Sequence, residues 1–213
     1  MSQSIADIRK EYNARSLSIS EVDKNPIDQF LIWFNMALKA EIMEPNAMTL
    51  STISNDKPSS RVVLLKGVEN SEFVFYTNYN SSKGRQMIKN HNVSLNFFWP
   101  ELERQVRIEG EVKKVSSEVS DAYFQSRPRG SRIGAWVSPQ SEVIENREEL
   151  DKRLAEIELR FKDREIDRPP HWGGYSVKPS LIEFWQGRPS RLHDRIQYTL
   201  IDNDSWKIER LAP

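Results

Sequence analysis

At 213 residues the chain is long enough for one generous domain with a sizeable core, a size at which all-β barrels are common. Its 31 basic residues balance 31 acidic ones, so no global positive field exists to hold a nucleic-acid backbone, and any anion has to be held by a local cluster. With no cysteine there is neither a disulfide framework nor a thiolate metal site, which agrees with a cytoplasmic setting.

The opening residues carry no apolar signal core, and the densest apolar run, Phe30 to Phe34, is far too short to cross a bilayer, so neither secretion nor membrane spanning is expected. Residues 1–25 are polar and weakly patterned and read as a mobile arm able to close over a site; residues 26–213 read as a single domain. Pro26 suits a first helical turn, and Phe30, Phe34, Ala37 and Leu38 recur at helical spacing, predicting a helix from Pro26 to about Met43.

From Ala47 the period changes. "AMTLSTI" and "SSRVVLLKG" flank a turn at Asn55–Pro58, "EFVFYTN" makes a third strand, and Ser81 caps a short helix reaching Asn90. "VSLNFFW" and "RQVRIEGEVKKV" read as two more strands joined at Pro100. Ser116 or Ser117 caps a helix that must break at Pro128, a second short helix follows Gly130, and Arg147 to Phe161 forms an amphipathic surface helix. After the loop "DRPPHWGGY", the segments "SLIEFWQG", "RLHDRIQYTL" and "SWKIERL" are strand-like. The sum is a mainly antiparallel β-barrel with helices, in the α+β class.

Arg191, His193 and Arg195 alternate as residues on one face of an extended strand do, which implies a bound anion, an acidic neighbour or an exposed basic edge. Arg61 and Lys66 bracket four apolar residues, on opposite faces of a regular strand. Tyr123 and Arg127 share a helical face with Ser131 just beyond, an arrangement that either holds a phosphate or is simply solvated. Three dispersed histidines and no cysteine give no metal site, and the sequence has no Gly-x-Ser-x-Gly elbow, Walker loop or Gly-x-Gly-x-x-Gly turn. Trp99, Trp136, Trp172 and Trp185 read by default as core.

Taken together, "RVVLLKG", "FYTNYNSSKG", "LERQVRIEG", "YFQSRPRGSRIGAWVSPQS", "WGGY", "IEFWQG" and "RLHDR" resemble the pyridoxine/pyridoxamine 5′-phosphate oxidase family in order and spacing, from about Asn46 to Pro213. The resemblance implies an FMN-binding split barrel and a homodimer with FMN at the subunit interface. It implies oxidation of pyridoxine 5′-phosphate and pyridoxamine 5′-phosphate by O2 to pyridoxal 5′-phosphate and peroxide, the last step of vitamin B6 cofactor synthesis. Another split-barrel flavin reductase, or a non-catalytic carrier of FMN or pyridoxal phosphate, are the alternative readings.

By the same resemblance Arg61, Val62, Val63, Leu64, Leu65, Lys66, Tyr76, Thr77 and Lys83 match the flavin phosphate and its neighbourhood, and Gln105, Trp185 and Arg195 match positions around the flavin, with Gln140 and Ser141 from the partner subunit. Lys66, Tyr123, Arg127 and Ser131 match the substrate-phosphate pocket, and Arg191, Leu192 and His193 lie beside the pyridine ring, with Arg191 and His193 in the catalytic role. Arg9, Lys10, Glu11 and Tyr12 match a lid. Two positions depart from the pattern: Ser82 stands where an Arg is usual, with Arg85 one helical turn on as its expected substitute, and Lys10 stands where Arg is frequent.

Overall fold

The computed structural model describes residues 4–8, 11–202 and 205–213. Five α-helices and nine strands follow one another as α1 (Pro26–Lys39), β1 (Ala47–Ser54), β2 (Lys57–Leu64), β3 (Gly67–Glu69), β4 (Glu72–Asn78), α2 (Ser82–Lys89), β5 (Asn92–Trp99), β6 (Arg104–Lys114), α3 (Ser117–Ser126), α4 (Arg129–Val137), α5 (Arg147–Arg160), β7 (Trp172–Gln186), β8 (Asp194–Asp202) and β9 (Ser205–Leu211). The strands pair in the order β2-β1-β5-β6-β7-β4-β3, with β8 on β7 and β9 on β8. The registers of β3 with β4, β4 with β7, β7 with β8 and β8 with β9 are antiparallel.

Local chemistry explains most boundaries. Asn25 accepts the Ile27 N–H at 2.9 Å and Pro26 occupies the first turn of α1, where its missing N–H costs nothing. That helix stops at Lys39, short of Met43, because Ala40 leaves helical geometry and Glu41 is left-handed. Its buried stripe is Phe30, Trp33 and Ala37, whereas Leu38 is exposed, so the apolar face is turned toward Trp33 relative to the sequence expectation. Asn55 and Asp56 both have positive φ, the conformation of a two-residue hairpin turn between β1 and β2, and Asn70 and Ser71 repeat it between β3 and β4. The Ser81 and Ser116 hydroxyls cap α2 and α3, while α4 begins at Arg129 directly after Pro128 rather than after Gly130.

The described residues cluster into two compact units. The first draws on Met1–Leu50, Ser94–Gly110 and Pro179–Pro213, the second on Ser51–Val93 and Glu111–Lys178. In the first, Phe30 meets Phe97 at 5.0 Å between ring centroids, Trp33 meets Phe184 edge-on at 5.1 Å, and Tyr198 donates its hydroxyl to the Asp23 carbonyl. Burial of each such aromatic contributes about 1.5–3 kcal/mol. The segment before α1 is fastened here too: Leu17 is buried, its N–H is accepted by Asp194, and its carbonyl accepts from Arg210. In the second unit Phe124, Ile133, Val137, Phe161, Ile166 and Trp172 form a core under α3, α4 and α5.

Strand β7 is longer than its sequence suggests, because "WGGY", expected as loop, is its first part and pairs with β4. The glycines are required there: a Cβ on Gly173 would sit 2.0 Å from the Tyr79 hydroxyl oxygen, and one on Gly174 would sit 2.6 Å from Val115. The segment "RLHDRIQYTL" departs from expectation in the opposite sense. Pro189–Arg191 is a 3₁₀ turn with Ser190 and Arg191 at positive φ, and β8 begins only at Asp194, so strand alternation does not govern Arg191 and His193.

Candidate functional site

Each unit carries a cleft. The one in the second unit, of about 490 Å³, is walled by Val62, Val63 and Leu64 at the end of β2, by Lys66 beyond it, by Tyr76, Thr77 and Asn78 of β4, and by Lys83 of α2. Tyr123, Arg127, Pro128, Ser131, Gln140 and Trp172 complete it. Among the described residues that line it there is no acid, although three are cations.

Lys83 Nζ donates to Gln140 Oε1 at 2.9 Å and to Thr77 Oγ1 at 3.3 Å. Nearby, Arg61 donates to Thr52 Oγ1 at 2.6 Å, to Ser59 Oγ at 2.7 Å and to Gln86 Oε1 at 3.0 Å. Burial, and then the Arg61 charge, hold the Lys83 pKa below its ordinary value. Two neighbouring cations, each bonded to its own neutral oxygens and to no carboxylate in these contacts, are the electrostatic complement of a dianion. Lys66 lies past the end of β2, its N–H bonded to the Val74 carbonyl, so the opposite-face argument for Arg61 and Lys66 does not apply.

On the other wall Tyr76 and Tyr123 stack at 3.8 Å between centroids, and both are nearly parallel to Trp172. Burial pushes the Tyr76 phenol up to about 12, so it remains protonated at neutral pH. The Arg127 guanidinium carbon stands 4.5 Å from the Trp172 ring centroid, and its buried Nη1 has no hydrogen-bond partner among the described residues. A buried guanidinium N–H without an acceptor is costly, and an anionic oxygen would satisfy it.

The cleft in the first unit, of about 700 Å³, is lined by Ile8, Glu11, Tyr12, Trp185, Arg188, Ser190, Arg191 and His193. Trp185 and His193 lie 4.7 Å apart, and Tyr12 packs edge-on against both at 5.7 Å. His193 Nδ1 accepts the Arg188 N–H at 3.1 Å, which leaves the ring proton on Nε2. Burial and the neighbouring Arg191 charge lower the His193 pKa, so the neutral tautomer prevails at pH 7.

The remaining sequence-derived candidates fall elsewhere. Arg195 gives Nε and Nη2 to the buried Glu183 at 2.8 and 3.1 Å and Nη1 to the Ala212 carbonyl, so an acid neighbour rather than open solvent balances it. Gln105 donates to Asn96 at 2.6 Å and Leu192 is exposed; neither lines either of these two clefts. The Leu65 side chain is core. Gln140 stands beside Lys83 of its own chain, and Ser141 follows it, exposed, at φ 75°. Arg85 is exposed and turned onto the Asn80 carbonyl, so it does not line the cleft in place of the missing Arg at Ser82. Arg9 and Lys10 lie outside the described residues.

Sequence reasoning missed Gln86, Glu183 and Trp172. Gln86 was accessible in principle, being three residues from Lys83 on one helix and therefore on its face. Glu183 and Trp172 carried no local signal distinguishing them from strand residues of the core.

The mainly antiparallel nine-stranded sheet with five helices is the fold of the FMN-binding split-barrel proteins, as two solved structures show. A structure of PhzG from Burkholderia lata 383, solved with tetrahydrophenazine-1-carboxylic acid, superposes with a TM-score of 0.86 at 27% identity, covering 94% of this chain and 100% of the other. A pyridoxamine 5′-phosphate oxidase-related, FMN binding protein from Nostoc punctiforme PCC 73102 shares the fold at TM-score 0.69, with 16% identity over 93% of this chain and all of that one. The family model for pyridoxamine 5′-phosphate oxidase matches residues 34–161, and that for the pyridoxine 5′-phosphate oxidase C-terminal dimerisation region matches residues 172–213. Pyridoxine/pyridoxamine 5′-phosphate oxidases of Cyanothece sp. and Paraburkholderia phytofirmans are each 56% identical, over 100% and 99% of both chains respectively. The chain belongs to the pyridoxine/pyridoxamine 5′-phosphate oxidase family and is an oxidoreductase of that family. Among the described residues no helix is long and apolar enough to cross a membrane, and no group of three or more acidic or histidine side chains is placed to hold a metal.

Proposed function

We propose that the protein binds FMN and oxidises pyridoxine 5′-phosphate and pyridoxamine 5′-phosphate with O2, giving pyridoxal 5′-phosphate and hydrogen peroxide. The alcohol loses two hydrogens to oxygen; the amine does the same and its imine takes up water, releasing ammonia. The observation that carries this reading is the cleft lined by Lys66, Lys83 and Arg127 with no acid among its described lining residues, in which Arg61 backs Lys83 at one cationic site and Arg127, with a buried unpaired N–H, marks another. Two phosphate esters in one reaction, one on the cofactor and one on the substrate, call for two such sites.

In this reading Arg61, Lys83, Thr77 and Gln140 hold the FMN phosphate, and the crowding of Lys83 by Arg61 is relieved when the dianion arrives. Bound FMN supplies hydride acceptance and reoxidation by O2. Lys66, Tyr123, Arg127 and Ser131 take the substrate phosphate, the unpartnered Arg127 Nη1 gaining an acceptor. Arg191 and neutral His193 orient the pyridine, the latter as an Nε2–H donor that keeps this role at pH 7. Glu11 and Tyr12 close over Trp185 and His193 as part of an N-terminal lid.

The enzyme acts as a homodimer with FMN at the subunit interface. The match of residues 172–213 to a dimerisation region supports this, since that span includes Trp185, Arg191, His193 and Arg195. The reaction is the last step of vitamin B6 cofactor synthesis or salvage, and a cysteine-free chain agrees with a cytoplasmic location. An aerobic assay of the flavin-loaded protein with pyridoxine 5′-phosphate tests the reading: peroxide and pyridoxal 5′-phosphate should form in equal amounts. Flavin binding without oxygen uptake would make it a carrier, and flavin reduction by a nicotinamide but not by the substrate would make it a reductase.

A further inference from the structure

We propose that Trp172 is a positioning residue for the substrate phosphate: its indole face holds the Arg127 guanidinium in place while leaving that cation's N–H donors for the ligand. The inference rests on the reading of Arg127 as part of the phosphate pocket.

An arginine side chain has many rotamers, and a binding site needs it in one of them. The chain uses two different solutions. Arg195 is fixed by the buried carboxylate of Glu183, which occupies its Nε and Nη2 and balances its charge. Arg127 has an aromatic face instead: its guanidinium carbon is 4.5 Å from the Trp172 centroid and 5.7 Å from that of Phe124, while Nη1 stays buried and unpaired. A ring quadrupole attracts the cation through the face and accepts none of its in-plane N–H groups. Arg127 therefore keeps its charge and its fork for an incoming dianion.

The platform is itself rigid. Trp172 is buried, its N–H is bonded to the Pro169 carbonyl, and its carbonyl accepts from Arg168. Its ring lies within 4° of parallel to Tyr123, another wall of the cleft, and Phe124 braces it edge-on at 5.3 Å. Trp172 also lines the cleft, so the held guanidinium faces the space the ligand enters.

The test measures kcat and KM of the flavin-loaded enzyme for pyridoxine 5′-phosphate in wild type, Trp172→Phe, Trp172→Leu, Arg127→Ala and the Trp172→Leu/Arg127→Ala pair. Loss of the aromatic face should raise KM by about tenfold and change kcat by less than about threefold, with Trp172→Phe retaining most of the affinity. In the Arg127→Ala background Trp172→Leu should add no further rise, because its effect passes through the guanidinium. Unchanged KM in Trp172→Leu, or penalties that multiply in the pair, would overturn the inference. Should Trp172→Leu not fold, Trp172→Phe with and without Arg127→Ala decides: a small KM rise that vanishes in the Arg127→Ala background supports it, and an equal rise in both backgrounds overturns it. Wild-type KM in Arg127→Ala would instead sink the pocket reading, and this inference with it.

Discussion

Replacing Glu183 by Gln removes the buried charge shared by Arg195 of β8 and Arg107 of β6, the latter also paired with the exposed Glu109, while keeping nearly the same volume. The carboxylate is 4% exposed and receives three charge-assisted bonds, at 2.8 and 3.1 Å from Arg195 and 3.0 Å from Arg107. Breaking a fully buried pair costs about 3–5 kcal/mol. Here the arginines are 27% and 41% exposed and regain water when released, and glutamine retains one oxygen acceptor, so the cost falls to about 2 kcal/mol. For a chain of this length that lowers the Tm by about 4–8 °C. Thermal unfolding of the flavin-free protein at fixed pH measures it, independently of any ligand. A Tm within about 1 °C of wild type would mean that the two arginines stabilise β6, β7 and β8 without the carboxylate, and the reasoning about this network would be wrong.

Lys83→Met should separate stability from binding. The flavin-free protein should lose no stability, since a cation crowded by Arg61 has gone, while FMN affinity measured by fluorescence titration should fall about ten- to hundredfold for one lost charge-assisted contact; unaltered affinity would remove Lys83 from the phosphate site. Gly173→Ala should fail to fold or lose several degrees of Tm because its methyl meets Tyr79, whereas Gly134→Ala in α4, with open space around it, should gain about 0.5–1 kcal/mol in urea unfolding. The His193 imidazole should titrate by NMR below the ordinary value of about 6.5, because burial and the Arg191 charge disfavour its cation. Arg191→Gln should move that midpoint up, and a midpoint unmoved by the substitution would show that the Arg191 charge does not reach the ring.

Elements whose ends are written in side-chain chemistry were legible in the sequence: Pro26 in the first turn of α1, the caps at Ser81 and Ser116, the break at Pro128, and the Asn55–Asp56 turn all act within a few residues of themselves. What escaped depended on distant partners. Gly173 and Gly174 look like loop residues, yet in β7 they make room for Tyr79, Tyr76 and Val115, which no local pattern reveals. Arg191, His193 and Arg195 show perfect strand alternation, but Pro189 starts a turn that breaks it before β8 begins. The cleft residues were found through motif resemblance, which named Lys83, Arg127 and His193 without their partners. That Arg195 meets a carboxylate while Arg127 meets an indole is a property of the packed protein, and Trp172 by itself is indistinguishable from an ordinary core tryptophan.

The most direct trial is a spectrum of the FMN-loaded protein taken without oxygen while pyridoxine 5′-phosphate is added. The account predicts that the yellow absorbance disappears on substrate addition and returns with one equivalent of peroxide when air is admitted. A spectrum unchanged by saturating substrate, or a colourless protein that takes up no FMN at all, would contradict it.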